Sequence, residues 1–273
     1  MLRLFSIKYP YTMSSAPDLK VSLVQTHLHW NQKEENLRQL TAKLESLQDQ
    51  TDLVVLPEMF TTGFSMDAAA MAESMRGPTV TWLKKQAEKI NAAVTGSFIC
   101  EEHGKFYNRL VWVTPDGALA TYDKRHLFTL AKEHHYYTPG KERLVVSWRG
   151  WKICPLICYD LRFPVWSRNT EAYDLLIYVA NWPEPRRNAW SSLLVGRAIE
   201  NQSYTIGVNR VGKDGKDMNY SGDSALVDYA GEELIKLTQQ ENIVTARLSF
   251  EAQQVFRRKL QFLPDRDQFE ILY

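Results

Sequence analysis

The chain has 273 residues, a net charge of +1, and ordinary apolar (44%) and charged (24%) fractions, enough to bury a large core without help from disulfides or metals. Near-neutral charge with no long run of Lys or Arg leaves no electrostatic footprint for nucleic acid or an anionic membrane, so the expected partner is a small molecule or a protein. Cys100, Cys154 and Cys158 fit neither a disulfide framework nor a C-x-x-C zinc site, and no apolar run approaches the roughly 18 to 20 residues that cross a bilayer.

Residues 1–18, opening with "MLRLFSIKYPYTMSS", lack the apolar core and small-residue cleavage site of a secretory signal. They read as a poorly ordered extension, with Met13 a second candidate start, ahead of a single domain over residues 19–273. The cysteine usage fits the cytoplasm. "LKVSLVQ" reads as a strand, and Leu37, Leu40, Leu44 and Leu47 form the stripe of a helix over 34–48. "DLVVLPE" follows as a buried strand, a helix over 78–91 opens after "GP", and "AAVTGSFIC" is the next strand. From residue 105 the pattern turns to hairpins: "KFYNRLVWVT" and "ALATYDK" about the turn "PDG", then "RLVVSW" and "WKICPLICYD" about "RG". A short helix near 164–169, the strand "DLLIYVAN", an amphipathic helix over 187–201 and the strand "YTIGVN" come next. "SALVDYAGEELIKL" and "NIVTARLSF" close in hairpin style. With no linker or repeat between them, these elements predict an α/β protein of two packed sheets with helices outside, a four-layer α-β-β-α sandwich.

Four of these strands end in a polar residue: Glu58, Lys124, Cys158 and Asn181. Ligands of open α/β sheets bind beyond the carboxyl ends of the strands, which makes these four candidates for one pocket. Cys158 is the last member of its apolar run and is followed at once by Tyr159, Asp160 and Arg162, the setting of a working thiol. A thiol is mostly protonated at neutral pH and needs a base or a nearby cation to react. Glu58 is placed to take the proton, and Lys124 to stabilise an oxyanion with a backbone N–H such as that of Tyr159. Such a set performs acyl transfer through a thioester. Taken singly, each member also has an ordinary reading as a buried thiol, a loop acid, a surface lysine and a turn residue; Cys100 and Cys154, inside strands, keep it. His27 and His29 lack a third ligand, and adjacent His134 and His135 point apart, so neither metal nor cofactor is expected. His126 is the alternative partner for Cys158, in a Cys–His pair.

"LPEMFTTGF", "YDKRHLF" and "ICYDLRFP" resemble, in that order, the Glu, Lys and Cys motifs of the nitrilase superfamily of carbon–nitrogen hydrolases. The resemblance runs from about residue 19 to 250 and includes "NWPEPRRNAWSSLLVGRAIENQ" and "GVNRVG". It implies the α-β-β-α sandwich, a homodimer forming an eight-layer assembly, Cys158 as nucleophile, Glu58 as general base and Lys124 as oxyanion stabiliser. A second family glutamate, in the loop after the lysine, matches Glu133; its competing reading is a solvated loop carboxylate.

Within the superfamily, "CYDLRFPVW", "YVANWP" and "ENQ…GVNRVG" are most similar to the ω-amidase branch, which implies hydrolysis of the terminal amide of a 2-oxo acid such as 2-oxoglutaramate or 2-oxosuccinamate. Tyr159 and Asp160 depart from the Trp-Glu that follows the cysteine in true nitrilases, which disfavours nitrile hydrolysis. A short anionic amide requires a cation to offset its desolvation; Arg162 is the first candidate, with Arg186 and Arg187 behind it. Phe64, Tyr159 and Trp182 are candidates for shaping the pocket, and each has an ordinary core reading as well. The alternatives are an amidase for an N-carbamoyl compound or a deaminated dipeptide-like amide, and a non-catalytic family member retained as a binding partner.

Overall fold

The computed structural model describes residues 16–271. Met1 and Met13 lie outside the described residues, as does most of the expected N-terminal extension. Its last residues, 16–18, depart from the expectation: Ala16 packs against the main core and the Pro17 carbonyl accepts a 2.8 Å hydrogen bond from the Trp151 indole.

The first sheet begins with β1 (Leu19–Gln25), β2 (Leu53–Val55) and β3 (Ala93–Glu102), paired in parallel. Parallel neighbours need long crossovers, and these are α1 (Lys33–Leu44) and the segment holding α2 (Ala68–Met71) and α3 (Pro78–Ile90). The predicted first helix is shorter than its apolar stripe, because the chain tightens into a 3₁₀ turn over Glu45–Leu47 that still buries Leu47. α3 opens on Pro78, whose missing N–H is no loss in a first turn. It ends on Asn91 in the left-handed region at φ 55°. β4 (Lys105–Val113) and β5 (Leu119–Asp123) extend the sheet as antiparallel strands.

Strand alternation then decides which side each residue serves. Leu53 and Val55 face the second sheet, whereas Val54 packs with Leu40, Leu44, Val80 and Leu83 of α1 and α3. Each such leucine or valine contributes about 1.5–3 kcal/mol on full burial. On β4, Leu110 and Trp112 face the second sheet and Val111 and Val113 the helices. On β5 the inward series is Ala120 and Tyr122, which puts the next residue of that parity, Lys124, on the inner face.

The second sheet repeats the plan. β6 (Val146–Trp148) and β7 (Trp151–Ile157) form a hairpin. Beyond the short α4 (Pro164–Ser167), β8 (Leu175–Ala180), α5 (Arg187–Asn201) and β9 (Tyr204–Asn209) complete a parallel trio with β7. α5 packs directly over β9 because Gly207 has no Cβ: one there would stand 2.6 Å from Leu194 and Trp190. A separate hairpin, β10 (Val211–Lys213) with β11 (Asn219–Ser221), follows, and then β12 (Ala225–Val227) and β13 (Glu233–Lys236) finish the sheet. β14 (Asn242–Leu248) crosses back to pair antiparallel with β1, and α6 (Phe250–Lys259), absent from the sequence-based expectation, is capped by Ser249. The strand orders are β14-β1-β2-β3-β4-β5 and β13-β12-β9-β8-β7-β6. With α1 and α3 on one outside and α5 on the other, the layers are α-β-β-α, as expected.

Candidate active site

The carboxyl ends of β2, β5, β7 and β8 meet at one place between the sheets. Glu58 is not a strand residue as expected; it lies in the turn three positions past Val55, where Leu56 still pairs with Thr95 and Met59 takes φ 43°. That turn buries its carboxylate completely. Oε1 accepts from Lys124 Nζ at 2.9 Å and from Asn108 Nδ2 at 2.8 Å, and Oε2 accepts from the Asn181 backbone N–H at 2.7 Å. The Asn181 side chain donates in turn to the Glu58 carbonyl.

Glu133 is fully buried, so the solvated-loop reading fails. It stands in a single 3₁₀ turn, Glu133–His135, and accepts from Lys124 Nζ at 3.1 and 3.0 Å and from the Phe128 N–H at 2.5 Å. Lys124 thus lies between two carboxylates, with its ammonium 5.1 Å from the centre of the Phe64 ring. Burial works against its charge, but Glu133 and Glu58 outweigh burial and hold the ammonium well above the usual lysine range. Burial, joined by the Glu58 charge and opposed by Lys124, pushes the Glu133 carboxyl up.

Cys158 is the first residue past β7 and opens a 3₁₀ turn, Cys158–Arg162, from a left-handed backbone at φ 44°. A non-glycine residue there costs about 1–3 kcal/mol and persists only where its surroundings over-determine it. Burial and the adjacent Glu58 charge push the thiol well above its ordinary range, with Lys124 pulling the other way.

A cavity of about 160 Å³ opens over Cys158 and Lys124. All five residues proposed from sequence to bind substrate line it: Phe64, Tyr159, Arg162, Asn181 and Trp182. Arg186 lines it too, whereas neighbouring Arg187 turns away to pair with Asp223 at 2.6 Å, which removes Arg187 from the candidates. The Arg162 and Arg186 guanidiniums lie over the rings of Trp182 (4.9 Å) and Phe128 (5.1 Å), and among the described residues neither pairs with a carboxylate. His126 does not line the cavity: its Nδ1 meets Asp160 at 2.8 Å and its ring stacks on Phe163. Among the described residues no group of three or more His, Cys, Asp or Glu side chains is gathered as a metal site.

Sequence reasoning missed two contributors. Asn108, whose amide reaches both Glu58 and, at 3.4 Å, Glu133, was signalled only as a polar residue sharing the parity of Leu110 and Trp112. The β10–β11 hairpin supplies Lys216, Met218 and Tyr220 to the cavity wall; nothing local in "KDGKDMNYS" points there.

The chain belongs to the carbon-nitrogen hydrolase family, whose model matches residues 20–258, and it is thus a hydrolase of amide carbon–nitrogen bonds. It is 45% identical over 256 residues to the omega-amidase YafV of Escherichia coli K12, covering 93% of this chain and 99% of that one. It is 32% identical over 250 residues to the 2-oxoglutaramate amidase of Bacillus subtilis, with coverage of 90% and 96%. Among solved structures it superposes with a TM-score of 0.92 on XC1258 of Xanthomonas campestris, a CN-hydrolase superfamily protein with an arsenic adduct in its active site, at 46% identity and coverage of 93% and 99%.

Proposed function

We propose that this chain is an ω-amidase, releasing ammonia from the terminal carboxamide of a short 2-oxo acid, 2-oxoglutaramate or 2-oxosuccinamate, and leaving the dicarboxylate. The observation that carries this reading is a small cavity with a thiol and an ammonium at its floor and two guanidiniums, Arg162 and Arg186, in its wall, held by aromatic faces and without acid partners among the described residues. An anion buried there regains the hydrogen bonds that desolvation removes. The named relatives support the same substrate class.

Glu58 takes the Cys158 proton as sulfur attacks the amide carbonyl carbon. The oxyanion forms against Lys124 Nζ and the Tyr159 backbone N–H, groups already in place before the reaction. Glu58 passes the proton to the departing nitrogen, ammonia leaves, and a thioester remains on Cys158. Water deprotonated by Glu58 attacks the thioester, and the returned proton restores the thiol. Glu133, bonded to Lys124 through both oxygens, keeps the ammonium aimed at the carbonyl. Asn181 and Trp182 hold the wall opposite Phe64 and Tyr159. A cytoplasmic homodimer is the accompanying proposal, supported by the resemblance and by three free cysteines; light scattering on the purified protein tests the dimer.

The test is ammonia release from 2-oxoglutaramate, with glutamine, a simple nitrile and an N-carbamoyl amino acid in parallel. Selectivity for the 2-oxo amide is expected. Carbon dioxide released with ammonia from the carbamoyl compound, and none from 2-oxoglutaramate, would replace this substrate class with the carbamoyl one.

A further inference from the structure

One buried carboxylate near the site takes no part in the chemistry above. Asp160 is fully buried and accepts four hydrogen bonds. Its Oδ2 takes the Tyr122 hydroxyl at 2.7 Å and the Ile157 N–H at 3.1 Å; its Oδ1 takes the His126 N–H at 3.0 Å and His126 Nδ1 at 2.8 Å. An ionised carboxylate only accepts, so the imidazole proton is assigned to Nδ1. The sequence positions of these partners give the arrangement its meaning. Tyr122 and His126 stand two residues before and two residues after Lys124, and Ile157 immediately precedes Cys158. A single carboxylate therefore ties both flanks of the lysine segment to the turn that presents the thiol.

We propose that Asp160 is a positioning residue that sets the separation and orientation of Lys124 relative to Cys158. Three further observations agree with it. The Cys158 backbone is held left-handed, a state that needs restraint from its surroundings; Asp160 supplies it by capping the turn at Ile157 N–H, the residue just before the thiol, while Tyr122 and His126 hold the same carboxylate from outside the turn. The Tyr122 hydroxyl is itself fixed, accepting from Trp166 Nε1 at 3.0 Å and the Arg125 N–H at 3.2 Å, so the clamp rests on a rigid base. The far side of the same turn is held by α5, where buried Arg197 donates to the Leu161 carbonyl at 2.7 Å. With both ends of the turn fixed, release of Asp160 frees the lysine side and the cysteine side to drift apart. Neither Tyr122 nor His126 lines the cavity, so the effect belongs to the chemical step and not to substrate binding.

The inference rests on the reading of Lys124 and Cys158 as the reacting pair, so one readout is chosen that needs no substrate. In the full chain, Asp160→Asn replaces an acceptor-only group by one whose amide faces donors. Its kcat is expected to fall about a hundredfold, the scale of a small misplacement of reacting groups, with KM within about threefold of the wild type. Alkylation of Cys158 by iodoacetamide, followed at its own peptide by mass spectrometry, is expected to slow about tenfold, since the thiol loses its alignment with Lys124, the cation that favours the thiolate. Tyr122→Phe, which removes one hydroxyl and keeps the ring, should lower kcat about tenfold with the same unchanged KM. A folded Asp160→Asn with wild-type kcat and alkylation rate, whatever its Tm, overturns the proposal. If Asp160→Asn does not fold, Tyr122→Phe decides, and wild-type kcat and alkylation in that variant overturn it equally. Should 2-oxoglutaramate prove not to be a substrate, the alkylation rates still decide for or against Asp160.

Discussion

The floor of the cavity and its wall are built on opposite terms. At the floor, Lys124 is excluded from solvent and bonded to Glu58 and Glu133, which lie buried behind it and are held by Asn108 and by the backbone of Asn181 and Phe128. In the wall, Arg162 and Arg186 touch ring faces and have no acid partner among the described residues. A group that stabilises a transition state acts best when it is fixed beforehand and needs no reorganisation. A group that recognises a substrate must keep its strongest hydrogen bonds for the ligand, and an aromatic face supports a guanidinium without consuming them. On the proposed mechanism the contrast separates the residues of the chemical step from those of binding, and each prediction below probes that division.

The largest effect belongs to the thiol. Cys158→Ala should abolish ammonia release while Tm stays within a few degrees, because one buried sulfur contributes little to the core; retained turnover by a folded variant would end the nucleophile assignment. Next comes the ammonium. Lys124→Met should lower kcat about a thousandfold and also reduce stability, because two carboxylates are left facing each other in a dry site. Removing one partner of a buried ion pair costs about 3–5 kcal/mol, so a thermal scan with unchanged Tm would contradict the burial argument. Glu58→Gln should match the loss in kcat with a smaller loss in Tm, since the amide keeps the shape and part of the bonding.

The wall should behave differently. Arg162→Ala or Arg186→Ala is expected to raise KM for the 2-oxo amide about tenfold to a hundredfold, the value of one charge-assisted hydrogen bond, with a smaller effect on kcat and none on Tm. A variant that loses kcat at constant KM would move that arginine to the floor group. The smallest signal concerns pH. Because burial and Glu58 both push the Cys158 thiol up, the pH profile of iodoacetamide alkylation should show its inflection above the ordinary thiol range in the wild type. Glu58→Gln removes the Glu58 charge, leaving burial and Glu133 to push up and Lys124 to pull down, so the inflection should move to lower pH. An inflection that stays or rises would show that the carboxylate does not act on the sulfur.

How much of this was legible in the sequence depends on whether the physics is local. The helices over residues 33–44, 78–90 and 187–201 were readable because an apolar stripe at helical period is a property of adjacent turns. The hairpin about "RG" was readable because Arg149 and Gly150 both take positive φ, at 49° and 84°, as that turn requires. Glu58, Lys124 and Cys158 were readable because each sits in a short motif at the end of a strand pattern. Arg186 and Arg187 show the opposite case: the two are adjacent and chemically identical, yet one lines the cavity and the other pairs with Asp223, a residue thirty-six positions away.

The sequence by itself therefore determined the layered α/β class and a small-molecule substrate, and put forward the thiol, the acid and the lysine as one candidate site, since periodicity, strand ends and residue chemistry are written in consecutive positions. Tertiary structure alone decided that Glu133 is buried, that Asn108 bridges two carboxylates, that the β10–β11 hairpin closes the cavity and that Asp160 joins the lysine segment to the cysteine turn. Each of these depends on which surfaces the two sheets bring face to face, and that is fixed by the packing of distant segments, which no local pattern encodes.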